Sequence, residues 1–173
     1  MLFRSFNNLH EYVYGSAAVI GLQMVHVLGT ISDRQKALDA AEKLGVAFQL
    51  ANFIRDIGED LDRGRIYLPL QELADFGVSE AMMLKRKVTP EIVAALKFQI
   101  SRVRTLQAES KAGISLLPAS VRPCIEAASE LYCGIVDEVE KIDYQVFTKR
   151  AKTSKLRRMS VALPAWLRAL AAR

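Results

Sequence analysis

At 173 residues, with 51% hydrophobic and 25% charged side chains, the chain is long enough for one domain with a packed core, and this balance excludes a disordered or fibrous polypeptide. Only two cysteines occur, Cys124 and Cys133, with neither a CxxC pair nor paired histidines, which excludes a disulfide framework and a zinc site of ordinary spacing. The net charge of +5 is placed unevenly: residues 141–173 hold nine lysines and arginines against the single acid Asp143, so the remainder is net acidic.

Both cysteines are expected as reduced packing residues. The basic run is compatible with a solvated face, a phosphate-bearing ligand or an anionic membrane surface. It lacks the interleaved aromatics of a single-strand platform and any groove-reading motif, so nucleic acid is not expected as a partner. The first residues show no basic start, apolar core and small-residue cleavage site in that order, and no apolar stretch makes a convincing bilayer span. The expected setting is the cytoplasm, with peripheral contact at the inner face of the membrane.

Helical spacing recurs along the chain while strict alternation does not, which predicts an all-α fold. The first helix is expected from about Asn8 to Leu28, capped by Asn7 or Asn8 and ended by Gly29. A second is expected after the capping Ser32, as far as Glu59 or Asp60. The turn-rich segment "LDRGRIYLP" follows, and Pro69 opens a short helix that stops at Gly77. Ser79 to about Lys85 reads as another short turn. Thr89, Pro90 and Glu91 form a strong start for a long helix reaching toward Pro118, with an apolar face at Ile92, Leu96, Ile100, Val103 and Leu106. A further helix begins near Pro123 and is expected to continue through "CIEAASELYCGIVDEVEKIDY". Residues 148–173 form a basic tail with a short helix around Trp166. Met82 and Met83 read as core filler or as a greasy surface facing a membrane.

On the second helix, Ala41, Gly45, Gln49, Asn52, Asp56 and Asp60 fall in one line at spacings of three or four residues. Small residues give way to amides and then to carboxylates. Two like charges one turn apart repel unless water reaches both or a cation lies between them. The rest of the helix is so apolar that it is expected at the centre of a bundle, where Asn52, Asp56 and Asp60 would offer oxygens to a hard divalent cation. Beside Ala41 and Gly45 there would be room for something long and apolar. Together these features imply a ligand with a phosphate head and a hydrocarbon tail. DxxxD on a helix is common by itself, and an exposed helix end with Arg55 paired to Glu59 is the competing reading.

The longer pattern is more specific. Leu44, Gly45, Gln49, Asn52, Phe53, Arg55, Asp56, Asp60, Arg65, Tyr67 and Pro69 resemble the second aspartate-rich signature of the squalene and phytoene synthase family. Upstream, "YVYGSAAVIGLQMVHV" is similar to another family signature, with Tyr12, Ser16, Ala17, Ala18, Ile20, Gly21, Met24 and Val27 in place and Val13 as a departure. "LYCGIVDEVEKIDYQVFTKRA" resembles the family's last core helix. Bacterial phytoene synthases are the best overall likeness. The similarity covers nearly all of residues 1–173 but only about the C-terminal three-fifths of a family member.

That resemblance implies an isoprenoid-synthase-type helical bundle lacking the N-terminal helices, with residues 1–173 as the C-terminal part of a single domain. It implies a transferase that joins two geranylgeranyl diphosphates head to head through a cyclopropylcarbinyl diphosphate to phytoene. Asp56, Asp60 and Asn52 would hold Mg²⁺, or Mn²⁺ in its place. Arg55 would bind a diphosphate oxygen or fix the carboxylates, Tyr12 and Gln49 would line the cavity near the reacting carbons, and Tyr144 would border the site. The alternatives are a squalene, dehydrosqualene or presqualene diphosphate synthase, and a non-catalytic helical remnant or subunit of a split enzyme. No glycine-rich dinucleotide loop is present, so NADPH is not expected. The family's first DxxxD motif has no counterpart before Asp56, which implies incomplete activity alone and a C-terminal fragment, a truncated gene product, or half of a split enzyme whose N-terminal half another chain supplies.

Overall fold

The computed structural model describes residues 2–172. The expected all-α architecture is found, and the one extended pairing among the described residues is an isolated bridge between Leu2 and Ile66. That bridge continues as Leu70 and Gln71 N–H groups donating to the carbonyls of Phe3 and Arg4, so the leading segment is tied to the loop after the aspartates.

Helix α1 (Phe6–Val13) runs without a break through a π-helical turn, Tyr14–Ala18, into α2 (Val19–Leu28), which ends at Gly29 with φ of 78°. The N-cap is Ser5 rather than Asn7 or Asn8: Ser5 Oγ accepts from Asn8 N–H, and Asn8 Oδ1 accepts from Ser5 Oγ at 3.0 Å. Helix α3 (Arg34–Arg55) is capped by Asp33, not Ser32, because the Asp33 carboxylate accepts from Lys36 N–H at 3.1 Å and also carries the charge preferred at a helix N-terminus.

The expected single helix to Glu59 or Asp60 is interrupted at Asp56 (φ −98°, ψ 11°), after which α4 (Ile57–Asp62) begins. Gly58 explains the break. Its N–H donates to Val146 O at 3.2 Å, and a Cβ there would lie 2.8 Å from Val146 O and 2.9 Å from Phe147 O. Helices α5 (Leu70–Asp75) and α6 (Glu80–Leu84) are the two short turns expected, with Pro69 and Ser79 as caps and Gly77 at φ of 75° between them.

Helix α7 (Pro90–Ile114) is capped by Thr89 as its sequence requires. It lies antiparallel to α3, with Lys43 paired to Glu109 at 2.7 Å and Ala40 facing Gly113, where a Cβ would come within 2.1 Å of Ala40 Cβ. Four of its five expected apolar positions, Ile92, Leu96, Ile100 and Val103, are buried, and Leu106 is half-buried. Each such side chain contributes about 1.5–3 kcal/mol. The single helix expected from near Pro123 is broken at Gly134 into α8 (Arg122–Cys133) and α9 (Ile135–Lys141), which flank this central pair. Helix α10 (Lys155–Ala171) has 17 residues, so it is not the short element expected; Ser154 caps it through Arg157 N–H, and it carries Pro164 inside.

The structure decides one open side-chain reading and changes another. Met83 is core at 1% exposure and Met82 is half-buried, so neither makes a greasy surface. Cys133 is buried, which pushes its thiol up to about 12, but Cys124 is exposed rather than packed. No helix among the described residues is long and apolar enough to cross a membrane.

Candidate active site

The end of α3 and the start of α4 hold the two aspartates in unlike environments. Asp56 is gripped by Arg55 in a two-pronged contact, Nε to Oδ1 at 2.7 Å and Nη2 to Oδ2 at 2.6 Å, and Arg150 Nε adds a third at 2.9 Å. Burial would raise its pKa, but the hydrogen bonds and charge of these arginines prevail and hold the carboxyl below its ordinary value. Asp60 is 8% exposed and its nearest cation, Arg63, stands 3.7 Å away. Burial and the neighbouring Asp56 charge push its pKa up. One turn before Asp56, Asn52 Oδ1 is buried with no hydrogen-bond partner among the described residues.

An unpartnered amide oxygen and an under-compensated carboxylate are donors that a hard cation satisfies. The set is partial, since no group of three or more His, Cys, Asp or Glu able to hold a metal occurs among the described residues. It fits a cation that keeps water and shares further ligands with a phosphate.

Asn52 also marks one end of an apolar cavity of about 370 Å³. Its walls come from the π turn and α2 (Ser16, Ile20, Met24, Leu28), from α3 (Ala37, Ala41, Gly45, Phe48), from α7 and the residues after it (Gly113, Leu117), and from α8 (Ile125, Tyr132). Close helix packing shapes it. A Cβ at Gly45 would stand 2.7 Å from Ala17 O, and at Gly21 2.4 Å from Ala41 O, so α2 and the π turn approach α3 backbone to backbone. From Ala37 to Asn52 the lining follows about 22 Å of α3.

The sequence-derived residues therefore separate into groups. Ala41, Gly45 and Asn52 line the cavity, while Gln49 is half-buried on the same helix outside the lining. Arg55, Asp56 and Asp60 form its polar continuation, with Arg55 fixing Asp56 rather than pairing with Glu59, which instead faces Arg150 at 3.2 Å. Tyr12 stands at the aspartate end in an aromatic cluster with Phe3 and Tyr67; its hydrogen bond with Tyr67, its burial and Asp60 raise its pKa against the pull of Arg65. Arg65 in turn donates to Tyr67 Oη at 3.4 Å. Tyr144 is not brought to this place: it lies beside Glu140 with Lys97 Nζ 5.7 Å from its ring centre, on a backbone held at φ of 57°.

Sequence reading missed Phe48 and Tyr132, whose stacked rings 4.9 Å apart wall the cavity, and offered Arg150 only as a residue of the basic tail able to reach phosphate, not as a partner of Asp56. The amphipathic period marked Phe48 only as apolar. Arg150 meets Asp56 across 94 residues, and no local pattern announces such a contact.

Residues 2–157 match the family described as squalene/phytoene synthase. The chain is 40% identical over 166 residues to the chloroplastic phytoene synthase of Narcissus pseudonarcissus, covering 94% of this chain and 39% of that one. It is 38% identical to the chloroplastic phytoene synthase 2 of Solanum lycopersicum, covering 97% of this chain and 56% of that one. Among solved structures, a dehydrosqualene synthase in complex with ligand superimposes with a TM-score of 0.86 at 28% identity, over 95% of this chain and 58% of that one. A squalene synthase from Alicyclobacillus acidocaldarius gives 0.77 at 23% identity over 83% and 54%, a likeness of fold. The chain thus spans from about two-fifths to somewhat over half the length of these relatives. A match running from the leading segment into α10, with Asp56, Asp60 and the cavity inside it, establishes that the chain belongs to the squalene/phytoene synthase family.

Proposed function

We propose that the chain is the C-terminal part of a phytoene synthase-type prenyltransferase and that its cavity holds the hydrocarbon tail of geranylgeranyl diphosphate. The observation that carries this reading is the continuity of one site: an apolar cavity whose Asn52 end passes within a helical turn to Asp56 and, a turn further, to buried Asp60. An amphiphile with a long apolar tail and an anionic head fits that polarity.

In this reading Phe48 and Tyr132 exclude water from the tail, Asn52, Asp56 and Asp60 hold a divalent cation, Mg²⁺ or Mn²⁺, and Tyr12 stands beside the head group. When bound, that cation neutralises the charge of a departing diphosphate. Arg55 and Arg150 set the position of Asp56, and Arg150, being 42% exposed, is free to turn toward a phosphate oxygen. Turnover requires the part of the fold that lies outside this chain in the longer relatives. We place the work in the cytoplasm at the inner face of a membrane, whereas the plant relatives are named chloroplastic.

The test is calorimetric titration with geranylgeranyl diphosphate in Mg²⁺, in EDTA, and with Asp56→Asn and Asp60→Asn. Metal-dependent binding lost in both variants supports the reading; binding indifferent to metal and to both variants overturns it. A second reading, dehydrosqualene-type use of C15 diphosphates, is favoured by the solved-structure likeness. Tighter binding of the C15 than of the C20 diphosphate would select it.

A further inference from the structure

We infer that the outward face of α10 docks on an anionic lipid bilayer. The helix turns two different apolar faces in two directions. Val161 and Ala165 are buried against Ala127 of α8, with Leu131 packed beside them. Arg157 and Arg168 reinforce that seat by pairing with Glu130 and Glu126. Leu156, Met159, Leu163, Trp166, Leu167 and Leu170 are all exposed, from 41% for Leu170 to 84% for Leu156. At the helical repeat these six fall within about 100° of the circumference, roughly opposite the buried stripe. A surface helix that needed only to cover α8 would carry polar residues there.

The charges around this stripe select lipid as its occupant. No aspartate or glutamate follows Asp143 in the sequence. Lys149, Lys152, Lys155 and Arg158 are exposed and form no ion pair among the described residues, while Lys155 borders Trp166 and Met159 on the helix surface. Leucines with an interfacial tryptophan beside unpaired lysines make a helix that lies in the headgroup plane and is drawn to acidic lipid. A second copy of the chain would bring the same unpaired cations against one another, which disfavours self-association through this face. Of the two readings of Met82 and Met83, core filler holds for Met83, and the exposed apolar surface lies on α10 instead.

Trp166 is the only tryptophan in the chain, so its emission reports on this face alone. The full chain is titrated with vesicles of phosphatidylcholine, and with vesicles in which part of it is replaced by phosphatidylglycerol. The expected result is a blue shift of Trp166 with the acidic vesicles, at least about tenfold weaker binding to the neutral ones, and loss in high salt. Leu156→Glu and Leu163→Glu should each weaken binding, and Lys152→Glu with Lys155→Glu should weaken it on acidic vesicles only. Circular dichroism checks the fold, and Leu156 is too exposed for its replacement to disturb packing. No shift on acidic vesicles, or shifts unchanged by Leu156→Glu, overturns the inference. A concentration-dependent shift without lipid, together with a dimer by light scattering, assigns the face to a second copy and also overturns it.

Discussion

Asp56 and Asp60 are alike in sequence and opposite in energy. Asp56 is stabilised by two arginines in hydrogen-bond contact, whereas Asp60 is desolvated, faces a like charge and has only Arg63, at 3.7 Å, as a paired cation. Asp60→Asn should therefore raise stability at neutral pH by about 1 kcal/mol, because it removes a buried, poorly compensated charge. Asp56→Asn should lower it by about 1–3 kcal/mol, because Arg55 and Arg150 lose the negative charge and one of the two acceptor oxygens they share. Thermal melts without metal check both signs, and a stabilising Asp56→Asn would show the arginine clamp to be weak. The aspartate pair was legible in the sequence because its spacing and small-residue neighbours are local. The difference between the two was not, since it depends on Arg150, which reaches Asp56 only after α9 and the following loop have folded.

At the scale of elements, caps and breakers were readable while departures from regular helix were not. Thr89 with Pro90, Ser79 and Gly29 act where their chemistry places them. The π turn at Tyr14–Ala18 and the break at Asp56 lie where distant backbone approaches closely, Gly45 against Ala17 and Gly58 against Val146, and no local period encodes such contacts. Gly45→Ala should cost about 1–3 kcal/mol through overpacking against the Ala17 carbonyl, seen as a lower denaturant midpoint at unchanged slope. A second element pair fixes α5 to α7: Glu72 receives Arg102 through two bonds of 2.6 and 2.8 Å and Gln99 at 2.7 Å. Burial alone would raise the Glu72 pKa, but Arg102 and Gln99 hold it below the ordinary 4.5. A depressed carboxyl contributes stability above its unfolded value and loses it as pH falls through the folded one. Glu72→Gln should accordingly cost about 3 kcal/mol at pH 7 and flatten the stability profile below pH 4.5, measured by urea unfolding across pH.

For the molecule as a whole, the helical class and the central place of α3 follow from composition and period, whereas the cavity beside α3 follows from four helices meeting. Ile20 and Met24 of its lining are themselves exposed, so its mouth is apolar. A ligand tail entering the cavity removes apolar lining from water and adds contacts among the helices that wall it. Binding to the folded state alone raises stability by about 2.7 kcal/mol at a hundredfold excess over Kd. For a chain of this size that corresponds to a rise in melting temperature of about 5–10 °C. Geranylgeranyl diphosphate with Mg²⁺ should produce such a rise, and EDTA should remove the part that depends on Asn52, Asp56 and Asp60. Inorganic diphosphate with Mg²⁺ should give a much smaller one, because it engages the polar end without filling the cavity. Equal shifts from diphosphate with and without its tail would mean that the cavity takes no part in binding.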